Sequence, residues 1–199
     1  MQKEKIWHPF NRVWHWVFAL VVIGGWYTGQ FMTFSTIAWH FYFGYAVLIL
    51  VGVRLVWGAL MLTSKNSGGL YLPSFENLIL YARSLKSREP SGTAGHNPLG
   101  TLSIILMLLL IGTQGLTGLF IESIDFFETA PLTHLISEAM QSKMNWWHHT
   151  VSALLPYIVG LHLLAVLFYL IWKKENLIMP MITGWKWVKR DNTDSHTQS

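Results

Sequence analysis

Hydrophobic positions along this chain gather into four long runs, at about residues 13–32, 38–62, 99–121 and 147–172. Each is close to the length, about 20 residues at about 1.5 Å apiece, that carries a helix through a hydrocarbon core about 30 Å thick. Four transmembrane helices are therefore expected. The first two runs are separated only by the short stretch around Thr33 to Thr36, so they are expected as antiparallel neighbours. The fold that follows is an all-α membrane protein, a four-transmembrane-helix bundle forming one domain over 1–199.

The polar stretches have their own pattern. Residues 63–97 form a long loop with Lys65, Arg83, Lys86 and Arg88. Within it, PSFENLILYARSL (73–85) has proline at a first turn and apolar residues near helical spacing, which reads either as a helix lying at the membrane interface or as a solvated loop helix. Residues 122–145 form a second loop with Glu122, Asp125, Glu128 and Glu138 against one base, Lys143. After the fourth run comes KKENLIMPMITGWKWVKR, and the last residues, 188–199, are expected to be a disordered tail.

Composition agrees with a membrane class: 52% of the 199 residues are hydrophobic and 12% charged. The first apolar segment follows Lys3, Lys5 and Arg12, is longer than a signal-peptide core and lacks a small-residue cleavage site, so it is expected to remain in the mature protein. The absence of cysteine excludes disulfides, cysteine-ligated iron–sulfur clusters and covalently attached haem. Of the fourteen Lys and Arg residues only Lys143 lies in the acidic loop. The positive-inside rule then puts both termini and the 63–97 loop in the cytoplasm, in a multi-pass membrane protein. No catalytic triad, phosphate loop or nucleic-acid motif is present.

The candidate chemistry lies in the histidines. His148 and His162 in the fourth run are fourteen residues apart, which places them within about 40° of one helix face and about 21 Å apart along the axis. His149 falls roughly 140° from that face by the same arithmetic. His15 lies near the start of the first run and His40 near the start of the second. With the orientation above, His15 and His162 share the cytoplasmic half of the membrane, and His40 and His148 share the outer half. A single intramembrane histidine can equally serve as a hydrogen bond between helices. Two matched pairs point instead to metal or haem.

Zinc would want four ligands, and no acidic side chain lies inside any run to complete such a site. Haem brings four equatorial nitrogens and needs only two axial imidazoles, so two non-covalent b-type haems are expected. Gly44, four residues after His40, and Gly160, two before His162, leave room beside the ligands. Gly112, Gly115 and Gly118 in the third run suit close approach by a helix or by a flat cofactor. Arg12 and Arg54 are candidates for the haem propionates, and equally for interfacial anchors.

NRVWHW (11–16), WHFYFGYAVLILVGVRLVWG (39–58), GHNPLG (95–100) and WHHTVSALLPYIVGLH (147–162) resemble the bacterial cytochrome b561 family, which includes the b-type cytochrome subunits of nickel–iron hydrogenases. The resemblance spans residues 7 to about 187 and keeps the histidine order. It implies a di-haem b cytochrome that passes electrons between the quinone pool and a redox partner. The doubled His148-His149 departs from the pattern, and helical phase favours His148 as the ligand.

With both axial positions taken, outer-sphere electron transfer is expected rather than substrate binding at iron. The chain then reads as an electron-transfer subunit rather than a self-sufficient enzyme. His96 and Asn97 are candidates for a quinone contact beside the His15–His162 haem; Asn97-Pro98 can also be simply a helix cap and first turn. The acidic outer loop suits a periplasmic c-type cytochrome or hydrogenase-like subunit whose lysines surround an exposed haem edge. The rivals are a stand-alone superoxide:quinone oxidoreductase and a histidine-lined metal transporter or assembly factor.

Overall fold

The computed structural model describes residues 2–61, 72–90, 97–123 and 128–188. Among the described residues the α-helices are α1 (Pro9–Gln30), α2 (Ile37–Leu60), α3 (Phe75–Ser84), α4 (Pro98–Gly118), α5 (Glu138–Ile171) and α6 (Ile178–Thr183). The short strands among them are β1 (Gln2–Lys5), β2 (Glu122–Ser123), β3 (Glu128–Thr129) and β4 (Trp185–Val188). Among the described residues, those within 1–12, 58–102 and 164–199 form one compact unit, and those within 13–57 and 103–163 form another. Each is taken in turn.

The second unit holds the middle of the long helices. α2, α4 and α5 are long and apolar enough to cross a membrane by length and composition. α1, at 22 residues, is not among them, because Asn11, Arg12, His15 and the indole and phenol side chains dilute its apolar content. Apolar side chains lie on the outside of the helices as well as between them. Leu20, Ile23, Ile49, Leu109 and Leu161 are 60–69% exposed, as expected where lipid covers them, while Phe18, Val47, Val51, Ile111 and Val151 are buried between the helices.

The α1–α2 link is closed by hydroxyls rather than by glycine. The Thr33 amide donates to Thr36 Oγ1 at 2.8 Å, and the Thr36 amide returns a bond to Thr33 Oγ1 at 3.2 Å. Orphan donors at a helix start are satisfied in the same reciprocal way by a capping box. Close helix approach depends on glycine: a Cβ on Gly24 would lie 2.6 Å from Phe43 Cζ, and one on Gly115 2.9 Å from Leu48 Cδ2.

In the first unit, α3 begins two residues later than expected: Pro73 precedes the helix and Ser74 caps it, Ser74 Oγ accepting from the Asn77 amide at 3.3 Å. It has no buried residue, and its Phe75, Ile79 and Leu80 are exposed, which suits a helix lying on an apolar surface. Asn97 caps α4, its Oδ1 accepting from the Gly100 amide at 2.7 Å with Pro98 at the first position. Beyond α5 the chain turns back. Lys173, 3% exposed, donates to the Ser84 and Ser87 carbonyls at 3.2 and 2.9 Å, and Trp172 Nε1 donates to the Leu85 carbonyl at 3.2 Å. Glu175 and Lys186 form a buried ion pair.

Two segments remote in sequence pair in this unit. β1 runs antiparallel to β4 with Lys5 opposite Trp185. Gly184, with φ 86°, makes the turn into β4 and accepts the Ile6 and Trp7 amides at 2.9 and 3.3 Å. Any side chain there would be strained and would also press on the Trp7 carbonyl.

Several boundaries differ from the sequence reading. α5 begins at Glu138 rather than near 147 because EAMQSKMN is a sequence of good helix formers with an acid in the first turn. The hydrophobic run marks only its membrane portion. Part of the expected 122–145 loop is paired as β2 and β3, and strands enter a fold expected to be all helix. Lys65, His96, Asp125 and the tail from residue 189 lie outside the described residues.

Replacing Gly24 by alanine is expected to cost about 1–3 kcal/mol, the usual penalty of overpacking. The check is the thermal midpoint of the detergent-solubilised protein, which should fall for Gly24→Ala and stay near wild type for Gly52→Ala, where a Cβ meets nothing within 4 Å.

Candidate haem sites

All four candidate histidines lie in the second unit, and they form two pairs. His15 on α1 and His162 on α5 have ring centroids 6.5 Å apart. His40 on α2 and His148 on α5 have centroids 6.1 Å apart. Two imidazoles on opposite sides of one metal, each bonded at about 2.0 Å with the ring centre about 1.2 Å beyond the nitrogen, would have centroids about 6.4 Å apart. Both separations lie within a few tenths of an ångström of that value. His149, next in sequence to His148, is exposed.

The His40–His148 pair is oriented by backbone. His40 Nδ1 donates to the Gly25 carbonyl at 3.0 Å, and His148 Nδ1 donates to the Gln114 carbonyl at 3.0 Å. A carbonyl only accepts, so each ring carries its proton on Nδ1 and keeps the Nε2 lone pair for a metal. Beside each ring lies a threonine. Thr28 Oγ1 is 3.4 Å from His40 Nδ1 and donates to the Gly24 carbonyl at 2.8 Å; Thr117 Oγ1 is 3.3 Å from His148 Nδ1 and donates to the Thr113 carbonyl at 2.8 Å. A glycine follows each threonine, and a Cβ there would press on the ring, 2.9 Å from His40 Cε1 at Gly29 and 3.1 Å from His148 Cε1 at Gly118.

The same device is thus built twice, once where α1 ends against the start of α2 and once where α4 ends against α5. Its sequence trace is GGWYTG at 24–29 and TQGLTG at 113–118. The glycines of the third run divide their work accordingly. Gly112 and Gly115 admit Val51 and Leu48 of α2, and Gly118 seats His148. The His15–His162 pair lacks the device: His15 Nδ1 is buried with no hydrogen-bond partner among the described residues.

Neither of two further glycines near the ligands in sequence, Gly44 and Gly160, is covered by protein. A Cβ on Gly44 or on Gly160 would meet nothing within 4 Å. Among the described residues no cluster of three or more His, Asp or Glu side chains could hold a bare metal ion. Paired imidazoles, fixed tautomers and open glycine faces suit a group that brings its own equatorial ligands, and haem is such a group.

The polar candidates are placed as follows. Arg54 on α2 is 4% exposed with its guanidinium carbon 5.8 Å from the Trp14 ring centroid, and Trp14 Nε1 donates to the Leu50 carbonyl at 2.9 Å. Arg12, in the first unit, donates through Nη1 to the Ile182 carbonyl at the end of α6. Asn97 donates from Nδ2 to the Tyr169 hydroxyl at 3.1 Å, and Tyr169 and Tyr81 share a hydrogen bond of 2.9 Å.

These features define a helical membrane protein with paired histidines suited to b-type haem. A model of the family described as prokaryotic cytochrome b561 matches residues 6–184, and the chain belongs to that family. No curated protein and no solved structure matches it. The family binds b-type haem and transfers electrons across membranes.

Filling the open faces tests the fit. Gly44→Leu and Gly160→Leu are expected to leave the helices intact, since no protein atom stands where the side chain begins, and to lower haem content per polypeptide by half or more. Haem absorbance against protein concentration is the check. Unchanged haem content in both variants would mean that the space is not a haem seat.

Proposed function

We propose that this chain conducts electrons across a bacterial inner membrane between the quinone pool and a periplasmic redox protein, a c-type cytochrome or a hydrogenase-like subunit. Two non-covalent b-type haems are held, one on His15 and His162 and the other on His40 and His148. The observation that carries this reading is the pair of centroid separations, 6.5 and 6.1 Å, in one set of helices. When bound there, haem supplies reversible one-electron transfer with both axial positions occupied. The chain's own task is to orient four imidazoles and to keep water away from them.

α1 serves as the fourth span: its 22 residues extend about 33 Å, enough for a hydrocarbon core. Four crossings would return the chain to the side from which it started, a reading that the β1–β4 pairing supports, and the distribution of basic residues favours the cytoplasm for that side. Arg54 and Arg12 serve the propionates. Arg54 is a buried cation on α2, and Arg12 Nε, buried without a partner among the described residues, has a hydrogen bond to give.

The quinone contact is assigned to the start of α4, at His96 and Asn97. The cap that fixes Asn97 also gathers the Tyr169 and Tyr81 hydroxyls there. Docking of the redox protein is assigned to the acidic outer stretch. Glu122 and Glu128 are exposed on the β2–β3 hairpin and Glu138 at the start of α5, and Asp125 belongs to the same stretch of sequence.

Haem counting with reduced-minus-oxidised spectra tests the ligands. His15→Ala or His162→Ala should leave one haem of two, as should His40→Ala or His148→Ala, while His149→Ala should keep both. Wild-type protein without a reducible haem would overturn the reading. Docking is tested by replacing Glu122, Asp125, Glu128 and Glu138 with their amides. Reduction of a lysine-rich c-type cytochrome should slow about tenfold or more at low salt and lose most of its salt dependence; an unchanged rate and slope would remove the acidic stretch from the docking surface.

A further inference from the structure

The two histidine pairs differ in what holds their outer nitrogens, and that difference has a direction. Both rings of the His40–His148 pair donate Nδ1–H to a backbone carbonyl at 3.0 Å, with a threonine oxygen at 3.4 or 3.3 Å as a second acceptor. Each threonine proton is committed to the carbonyl four residues earlier, at 2.8 Å. The hydroxyl lone pairs therefore remain for the ring. His15 Nδ1, in the other pair, is buried and has no acceptor among the described residues.

An imidazole whose N–H is drawn toward an acceptor carries more negative charge on the ring and is a stronger donor to a metal, which favours the higher oxidation state. We propose that Thr28 and Thr117 are positioning residues that lower the reduction potential of the His40–His148 haem below that of the His15–His162 haem, so that electrons run from the first pair to the second. The inference rests on the proposed function for its haems and goes beyond it by assigning the order of potentials and the sense of flow.

The duplicated geometry supports a tuning role over an accident of packing. Two threonines on different helices take the same position three residues after the accepting carbonyl and one before the glycine that seats the ring. A packing role alone would be met by valine, which matches threonine in shape and lacks the oxygen.

Redox titration of the purified holoprotein decides the matter. Wild type should titrate in two one-electron steps. Thr28→Val and Thr117→Val should each raise the lower step only, so that at its wild-type midpoint the ratio of reduced to oxidised haem increases about threefold in each variant and about tenfold in the double variant, tenfold being about 59 mV. Thr28→Ser and Thr117→Ser should return the wild-type value, and haem content should stay at two throughout. Alanine at both positions gives the same reading should the valine variants assemble poorly. A lower step that does not move, or an upper step that moves instead, overturns the assignment. Wild type with no haem overturns the proposed function and this assignment together.

Discussion

A histidine ring buried between apolar helices has two nitrogens to satisfy and no water to satisfy them with, and leaving either one bare costs roughly 1–3 kcal/mol. At His40 and His148 one nitrogen is met by a helix carbonyl, at 3.0 Å in both cases. Such a carbonyl already serves its own helix and accepts a second bond only if the ring can lie against the backbone. Gly29 and Gly118 allow that approach. The second nitrogen is left for a metal. The packing of α1 on α2 and of α4 on α5 near these rings follows from this requirement.

Two helix pairs therefore share one design. In each, the first helix supplies carbonyl, threonine and glycine near its end, and the second supplies a histidine near its start or within it. Lipid covers the outside, so burial contributes little to holding helices together and close contact matters more. That explains why Gly24 and Gly115, where even a methyl group would overlap Phe43 or Leu48, lie on the faces that meet α2.

Much of this was legible in the sequence, for identifiable reasons. Hydropathy registers what lipid requires, and so it located α2 and α4 to within about three residues. Helical phase chose His148 over His149, and the structure sets His148 beside His40 with His149 exposed. Hydropathy does not register a polar helix that continues into water, so the first nine residues of α5 read as loop. Nor does it register strands as short as β1 and β4, which are held by one ladder between segments that are remote in sequence. Thr28 and Thr117 do not stand out in the hydrophobic pattern, since their role depends on carbonyls of their own helices. The repeated T-G ending of GGWYTG and TQGLTG was the available signal.

The arithmetic that paired the histidines assumed a straight helix from His148 to His162, and Pro156 interrupts it. Proline has no N–H to give the Ser152 carbonyl and crowds it, so a bend at this turn is the ordinary outcome. A bend alters direction more than phase. It would spoil the pairing only if it also over-wound the helix, since the fourteen-residue spacing leaves about 40° of slack already. His162 nonetheless lies 6.5 Å from His15 while His148 lies 6.1 Å from His40. The proline is therefore compatible with one helix serving two sites at two depths.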